Sequence, residues 1–303
     1  MNDGGIRPEP AGSLLTVRHI TVYRYREPVR LGEHRMMFRP RESHDLRLLE
    51  SRLDILPRPA ALRWLHDVFD NSVAIASFTE PTDELRFDST VTLEHHVTAL
   101  PDYALEAEAR AYPFAYPEED RPDLAGGMVR RYPDPDVDRW AARFPGEFGS
   151  AGTLGLLHAM TRTVRREFDY ERRSEKGVQT PGETLRRGRG SCRDFALLMM
   201  EAVRSLGLAA RFVSGYIFMP EAGPALNGGG STHAWLQVYL PGAGWVDFDP
   251  TNEIVGNRNL IRVAMAWDPR QVLPLWGTYF GPLGASLGMT VEVAVSEEPP
   301  LVR

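Results

Sequence analysis

One cysteine occurs in the whole sequence, Cys192, in the run Gly188-Arg189-Gly190-Ser191-Cys192-Arg193-Asp194-Phe195. A lone thiol cannot close an internal disulfide or build a multi-thiolate metal site. Three roles are left: an inert buried thiol, a redox thiol, or a nucleophile. Ser191 and Asp194 stand three apart just before an apolar helical stripe, the spacing of a capping box. Ser191 then becomes the N-cap and Cys192 the first helical residue, where unpaired backbone N–H groups favour a thiolate. Helix N-termini are among the settings that bring a cysteine pKa from about 8.5 into the range of roughly 3.5–7.5. Gly188 and Gly190 let the backbone enter the helix sharply and let another molecule approach closely.

A hairpin downstream supplies partners for that thiol. His233–Leu240 reads as one strand, Pro241-Gly242-Ala243-Gly244 as the turn, and Trp245–Phe248 as the return strand, ending at Asp249. Even positions are apolar on both arms: Ala234, Leu236, Val238 and Leu240, then Val246 and Phe248. Burying all six together requires even to pair with even. With Tyr239 opposite Trp245, for instance, Trp235 faces Asp249 and His233 becomes the diagonal neighbour of Asp249. The same register puts His233, Asp247 and Asp249 on the face opposite the apolar six. A thiol, an imidazole and an orienting carboxylate form the set used in thiol nucleophilic catalysis. On the residue pattern alone, Asp247 and Asp249 are both eligible as the acid.

These groups need a scaffold, and the remaining sequence describes one. Residues 14–100 read as an all-β, sandwich-like domain. Its strands are expected at Leu14–Tyr25, Arg35–Phe38, Leu46–Ile55, Ala61–Phe69, Ser72–Phe78 and Leu85–Val97, with Glu27-Pro28 as a breaker and Asp70-Asn71 as a hairpin turn. Residues 101–150 are rich in proline and aromatics, a connector with short helices expected around Tyr103–Ala111 and Asp136–Ala142. Its aromatic side chains are expected to pack across the domain boundary. A second domain is expected over 151–300. Helical stripes over Thr153–Phe168 and Cys192–Leu206 precede strands at Ala210–Phe218, His233–Leu240, Trp245–Phe248, Leu260–Trp267 and Met289–Val295. The fold class is therefore α+β.

With 303 residues, 43% hydrophobic and 25% charged, the composition is that of an ordinary globular protein. A net charge of −6 without a basic run argues against nucleic-acid binding. No apolar run is long enough to span a bilayer, and residues 1–13 lack an apolar export core, so a cytoplasmic protein without a membrane partner is expected. His19, His34, His44, His66, His95, His96, His158 and His233 form no metal-ligand spacing, and neither a metal nor a cofactor is expected. Arg39, Arg41 and Arg47 read as solvated surface. Gly228-Gly229-Gly230 reads as a flexible loop, with a lid beside the cleft as the second reading. The oligomeric state leaves no mark on the sequence.

Four segments in order resemble the transglutaminase-like superfamily, of papain-like fold. They are Gly190-Ser191-Cys192-Arg193-Asp194-Phe195-Ala196, the stretch from Leu206 to Tyr216, Thr232-His233-Ala234-Trp235, and Gly244-Trp245-Val246-Asp247-Phe248-Asp249-Pro250-Thr251-Asn252. The resemblance implies a core whose Cys-bearing helix packs on an antiparallel sheet, preceded by the all-β domain that often precedes this core in bacteria. It implies Cys192 as nucleophile, His233 as base and Asp249 as orienting acid, with Asp247 a bystander. The tail Leu260–Val295 looks like the C-terminal strands of such a core. Where relatives often carry Gly-Arg-Asp-Tyr and an acidic, proline-containing stretch, this protein has Ala266-Trp267-Asp268-Pro269-Arg270 and Val272-Leu273-Pro274-Leu275-Trp276-Gly277. That departure bears on substrate preference and leaves the triad untouched. The expected activity is acyl transfer on a peptide or protein amide through an acyl-cysteine, as a peptidase or amidase or as a specialised acyl transfer. Rival readings are a glutamine-specific crosslinking transglutaminase, a non-catalytic binding module and a redox-sensing thiol protein. The backbone N–H of Cys192 is the natural oxyanion donor, with a second from Gly177–Leu185 or Tyr170.

Overall fold

The computed structural model describes residues 12–97, 105–172, 177–220 and 226–298. The N-terminal part is β throughout: β1 (Ser13–Met36), β2 (Leu46–Leu56), β3 (Ala61–His66), β4 (Ser72–Ser77) and β5 (Thr82–His95). They form one sheet in the order β2-β5-β1-β4-β3. The alternation of buried and half-buried residues along β5 shows one face on the core and one partly open to solvent. Glu27-Pro28 does not divide the segment into two strands, as the sequence reading has it; β1 runs through it. The register against β5 shifts between Arg24 and Val29, so the proline, which has no N–H to donate, lies within an irregularity of the ladder. The β3–β4 hairpin turns through Asp67–Asn71, where the Asp67 Oδ1 accepts the N–H groups of Phe69 and Asn71 at 2.9 Å each.

The second part follows as α1 (Arg121–Met128), α2 (Pro135–Phe148), α3 (Gly152–Glu167), β6 (Asp169–Tyr170), α4 (Pro181–Arg187), β7 (Arg189–Gly190) and α5 (Cys192–Ser205). Then come β8 (Ala210–Ile217), β9 (His233–Leu240), β10 (Gly244–Asp249), β11 (Ile254–Val255), β12 (Leu260–Ala266), β13 (Leu275–Phe280) and β14 (Ser286–Glu298). The helix expected at Tyr103–Ala111 reduces to a single 3-10 turn, Ala107–Ala109, and its start lies outside the described residues. α2 is longer than expected because Pro145 is accommodated inside it. The connector aromatics join the second core: Tyr116 donates to the Tyr239 carbonyl (2.9 Å) and accepts the Ala209 N–H (2.8 Å), and Trp140 meets Phe168 edge-on.

The second sheet has the order β11-β10-β9-β8-β12, all antiparallel, with β9 at its centre. Ala234, Leu236, Val238 and Leu240 share a buried cluster with Phe195, Leu198, Met199 and Ala202 of α5, whereas Trp235 packs on the other face with Val213, Leu260 and Met265. Of the tail Leu260–Val295, β12 belongs to this sheet and the later strands do not. β13 and β14 both pair antiparallel with β1, so these last two strands complete the N-terminal sheet. Alternating polarity in a segment such as Met289–Val295 marks a half-buried strand but does not name its partner. A strand as long as β1 needs neighbours on both sides, and residues 275–298 supply the second side. Among the described residues no helix is long and apolar enough to cross a membrane.

Candidate active site

Cys192 is the first residue of α5 and is buried. Asp194 holds the helix start: one carboxylate oxygen accepts the Ser191 N–H and the Ser191 hydroxyl, both at 2.8 Å, and the other accepts the Gln179 N–H at 2.7 Å. The expected capping pair is thus present through the aspartate, which also ties the 177–179 segment to the end of the helix. Residues at the first helical positions have no intrahelical acceptor for their N–H groups, so the Cys192 N–H points out of the helix end.

The hairpin register pairs even positions with even ones, as the alternation requires, and is the instance with Tyr239 opposite Trp245 and Gln237 opposite Asp247. It brings His233, at the start of β9, to Asp249, at the end of β10. The His233 Nε2 and Asp249 Oδ2 are 2.8 Å apart, and both side chains are fully buried. Asp249 is itself fixed by the Thr251 N–H (2.9 Å) and by the Asn252 Nδ2 (2.8 Å). The first of these contacts closes an Asx-type turn that Asp249-Pro250-Thr251-Asn252 could have signalled in sequence. The other ring nitrogen, Nδ1, has no hydrogen-bond partner among the described residues. Burial alone would push the imidazole toward neutrality. The Asp249 carboxylate, seconded by the Cys192 thiol, outweighs it and raises the pKa from 6.5 to about 10. The structure therefore brings Cys192, His233 and Asp249 together.

Asp247 is not brought into that set. Its Oδ1 accepts the Trp235 indole N–H at 2.7 Å and its Oδ2 accepts Arg262 at 3.2 Å. Arg262 in turn pairs with Asp45 of the N-terminal part. Trp235 stacks beside His233, with ring centroids 5.9 Å apart. Sequence reading missed Trp235 and Arg262 as supports for the site, and a pair separated by 217 residues leaves no local signal.

Gly228 lies directly against the His233 ring, at φ +96°, and a Cβ there would sit 2.5 Å from Nδ1. The Gly230 carbonyl accepts the N–H of Val293 from β14 at 3.1 Å, so this glycine segment is held at the site by the tail. A narrow cleft of about 70 Å³ opens beside His233, walled by Val178, Arg193, Phe212, Thr232, Val272 and Pro274 among others. Tyr170 pairs in register with Gly190, and burial pushes its phenol up to about 12, so it is a neutral donor at neutral pH. Gln179 is buried, its Oε1 accepts from Thr184 at 3.1 Å, and its Nε2 has no partner among the described residues. Among the described residues no group of three or more His, Cys, Asp or Glu is placed to hold a metal.

Comparison with known proteins agrees with this architecture. Residues 15–94 match the bacterial transglutaminase-like N-terminal region, and residues 149–250 match the transglutaminase-like superfamily core. An uncharacterised protein of Mycobacterium leprae (strain TN) is 27% identical over 294 residues, covering 92% of this chain and 98% of that protein. One from Mycobacterium tuberculosis (strain ATCC 25618 / H37Rv) is 28% identical over 276 residues, covering 87% of each. The crystal structure of a candidate cysteine protease from Cytophaga hutchinsonii superposes with a TM-score of 0.70 at 19% identity, over 96% of this protein and 93% of that one, which shows a shared fold. With the N-terminal region and the core matched in order along one polypeptide, this protein belongs to the transglutaminase-like superfamily in its bacterial two-part form.

Proposed function

We propose that the protein is a cysteine enzyme that takes the acyl group of an amide onto Cys192. The observation that supports this most is the buried His233–Asp249 contact of 2.8 Å, which leaves Nδ1 without another partner beside the only thiol of the protein. In this reading the Cys192 sulfur attacks the amide carbonyl, and the carbonyl oxygen takes up the negative charge. The Cys192 N–H stabilises that charge, with a second donor from the Gln179 amide or the Tyr170 hydroxyl. The C–N bond then breaks, and the His233 imidazolium gives its proton to the departing amine. An acyl-Cys192 thioester and a neutral imidazole remain. An acceptor X–H gives its proton to that imidazole and attacks the thioester carbonyl; the C–S bond breaks and the Cys192 sulfur leaves as a thiolate beside the restored imidazolium.

Water as acceptor makes the protein a peptidase or amidase, which is the reading we favour; a primary amine makes it a transglutaminase. With one lysine and three glutamines (Gln179, Gln237 and Gln271), the protein is a poor substrate for crosslinking to itself. Incubating the protein with a library of peptide amides, with and without a primary amine, and weighing the products decides the acceptor. We expect free acids to dominate in both conditions and to vanish in Cys192→Ala. Amine adducts in place of acids would establish transfer. Products that persist in Cys192→Ala, or no product from any member, would overturn the reading.

A further inference from the structure

The cleft beside His233 contains two guanidinium groups, and their circumstances differ. Arg270 is committed: its Nε and Nη2 bind the two oxygens of Asp268 at 2.9 Å each. Arg193, the residue after Cys192, is half-buried in the cleft wall and has no hydrogen bond or ion pair to any described residue. No carboxylate lines the cleft alongside it; its neighbours there include Val178, Phe212, Val272 and Pro274. The segment that departs from the family pattern, Pro269-Arg270 and Val272-Leu273-Pro274, forms one wall of this cleft. A half-buried guanidinium with no hydrogen-bond or ion-pair partner among the described residues carries out no task of folding that the structure shows. It lies at the positive end of α5; Asp249 balances His233 and Asp268 balances Arg270, so Arg193 is the cation of the cleft that has no carboxylate partner among the described residues.

We propose that Arg193 is a specificity-determining residue that receives a carboxylate of the acyl donor, so the substrates are amides carrying an anionic group close to the bond that is cleaved. The proposal rests on the reading of Cys192 as nucleophile. A guanidinium presents paired N–H donors that match a carboxylate, and the apolar walls strengthen the contact by excluding water. An acidic side group and a peptide C-terminus are the two sources of such a carboxylate; the chemistry recognised is the same.

Two small alkylating agents test the assignment on the intact protein. Iodoacetate carries a carboxylate and iodoacetamide does not, and both react at the thiol sulfur with loss of iodide. A change in thiol reactivity alters both rates together, whereas carboxylate recognition alters only the first, so the ratio of the two rates is the readout. Going from wild type to Arg193→Gln, the iodoacetate-to-iodoacetamide ratio is expected to fall about tenfold, while Arg193→Lys, which keeps the charge, retains most of it. Thermal melts of both variants should match wild type, because Arg193 has no described partner to lose. Matched peptide amides identify the source of the carboxylate. One pair compares Glu with Gln beside the cleaved bond, and another compares a free with an amidated C-terminus. Wild type should prefer the anionic member of one pair by about 10-fold to 100-fold in kcat/KM, and Arg193→Gln should lose that preference. A rate ratio unchanged in Arg193→Gln overturns the Arg193 assignment and leaves the nucleophile intact. A Cys192 that reacts with neither reagent faster than an unstructured thiol overturns both.

Discussion

At the scale of single residues, His233 decides the behaviour of the site. Its folded-state pKa is raised to about 10, whereas in the unfolded state it lies near 6.5. The folded state therefore binds the proton more tightly. The resulting stabilisation is complete below the unfolded value and is lost as pH climbs from about 6.5 through about 10. Urea midpoints of wild type should decline over that window relative to those of His233→Gln, which lacks the titrating group; parallel pH profiles for the two proteins would show that Asp249 does not hold the imidazole charged. The two aspartates of β10 make a second comparison. Asp249 touches the imidazole, whereas Asp247 binds Trp235 and Arg262. Asp249→Asn should cost on the order of 10⁴-fold in turnover, because the ring loses the group that fixes its tautomer. Asp247→Asn should instead destabilise the fold by about 3 kcal/mol by leaving Arg262 short of a counter-charge, with turnover of the folded protein much less affected. The reverse ranking would reassign the orienting acid to Asp247.

At the scale of elements, the site is the meeting of one helix end, one hairpin end and one glycine segment. Gly228 is the tightest of these contacts, since an added Cβ would stand 2.5 Å from the His233 Nδ1 at a φ that disfavours any side chain. Gly228→Ala should therefore slow Cys192 alkylation at least about tenfold with a loss of stability of about 1–3 kcal/mol; alkylation at the wild-type rate would mean that the segment moves aside freely. Much of this level was legible in the residues themselves. The alternation of Ala234, Leu236 and Val238 against Val246 and Phe248 required even positions to pair with even ones, which puts His233 and Asp249 on one face; the observed register, one of those it allows, delivers His233 to Asp249. The Ser191/Asp194 spacing marked the start of α5. What stayed hidden had physical causes. α4, with seven residues, is too short to display a period, and Pro145 reads as a breaker although α2 passes through it. The partners of β13 and β14 depend on contacts more than 200 residues away, and alternation carries no information about partner identity.

At the scale of the molecule, the N-terminal part is built into the support of the site. Asp45, between β1 and β2, accepts from Arg262 of β12 and from the Asn257 amide (2.8 Å). Arg262 continues to Asp247, Asp247 to the Trp235 indole, and Trp235 stacks on His233. Asn71 adds a second link, donating to the Met265 carbonyl at 2.8 Å and accepting the Met265 N–H at 2.9 Å. β14 adds a third through Val293 and Gly230. Burial would raise the Asp45 carboxyl, but the Arg262 guanidinium beside it, with Ser43 and Asn257, holds it well below the usual carboxylate range. A depressed folded-state pKa stabilises the protein above the unfolded value near 3.8 and ceases to do so as pH falls through the lower folded value. Asp45→Asn removes that charge, so Arg262 keeps Asp247 as its one carboxylate. The variant should be less stable at neutral pH by about 3 kcal/mol, and its stability should fall less steeply than that of wild type between about pH 5 and pH 2. Chemical denaturation at several pH values measures both effects. Because Trp235 remains bound by Asp247, alkylation of Cys192 in the folded variant should stay near the wild-type rate. A large drop in that rate with unchanged stability would instead make the N-terminal part a direct participant in the chemistry, since the charge relay from Asp45 to Trp235 would then be tuning His233 rather than bracing the sheet that carries it.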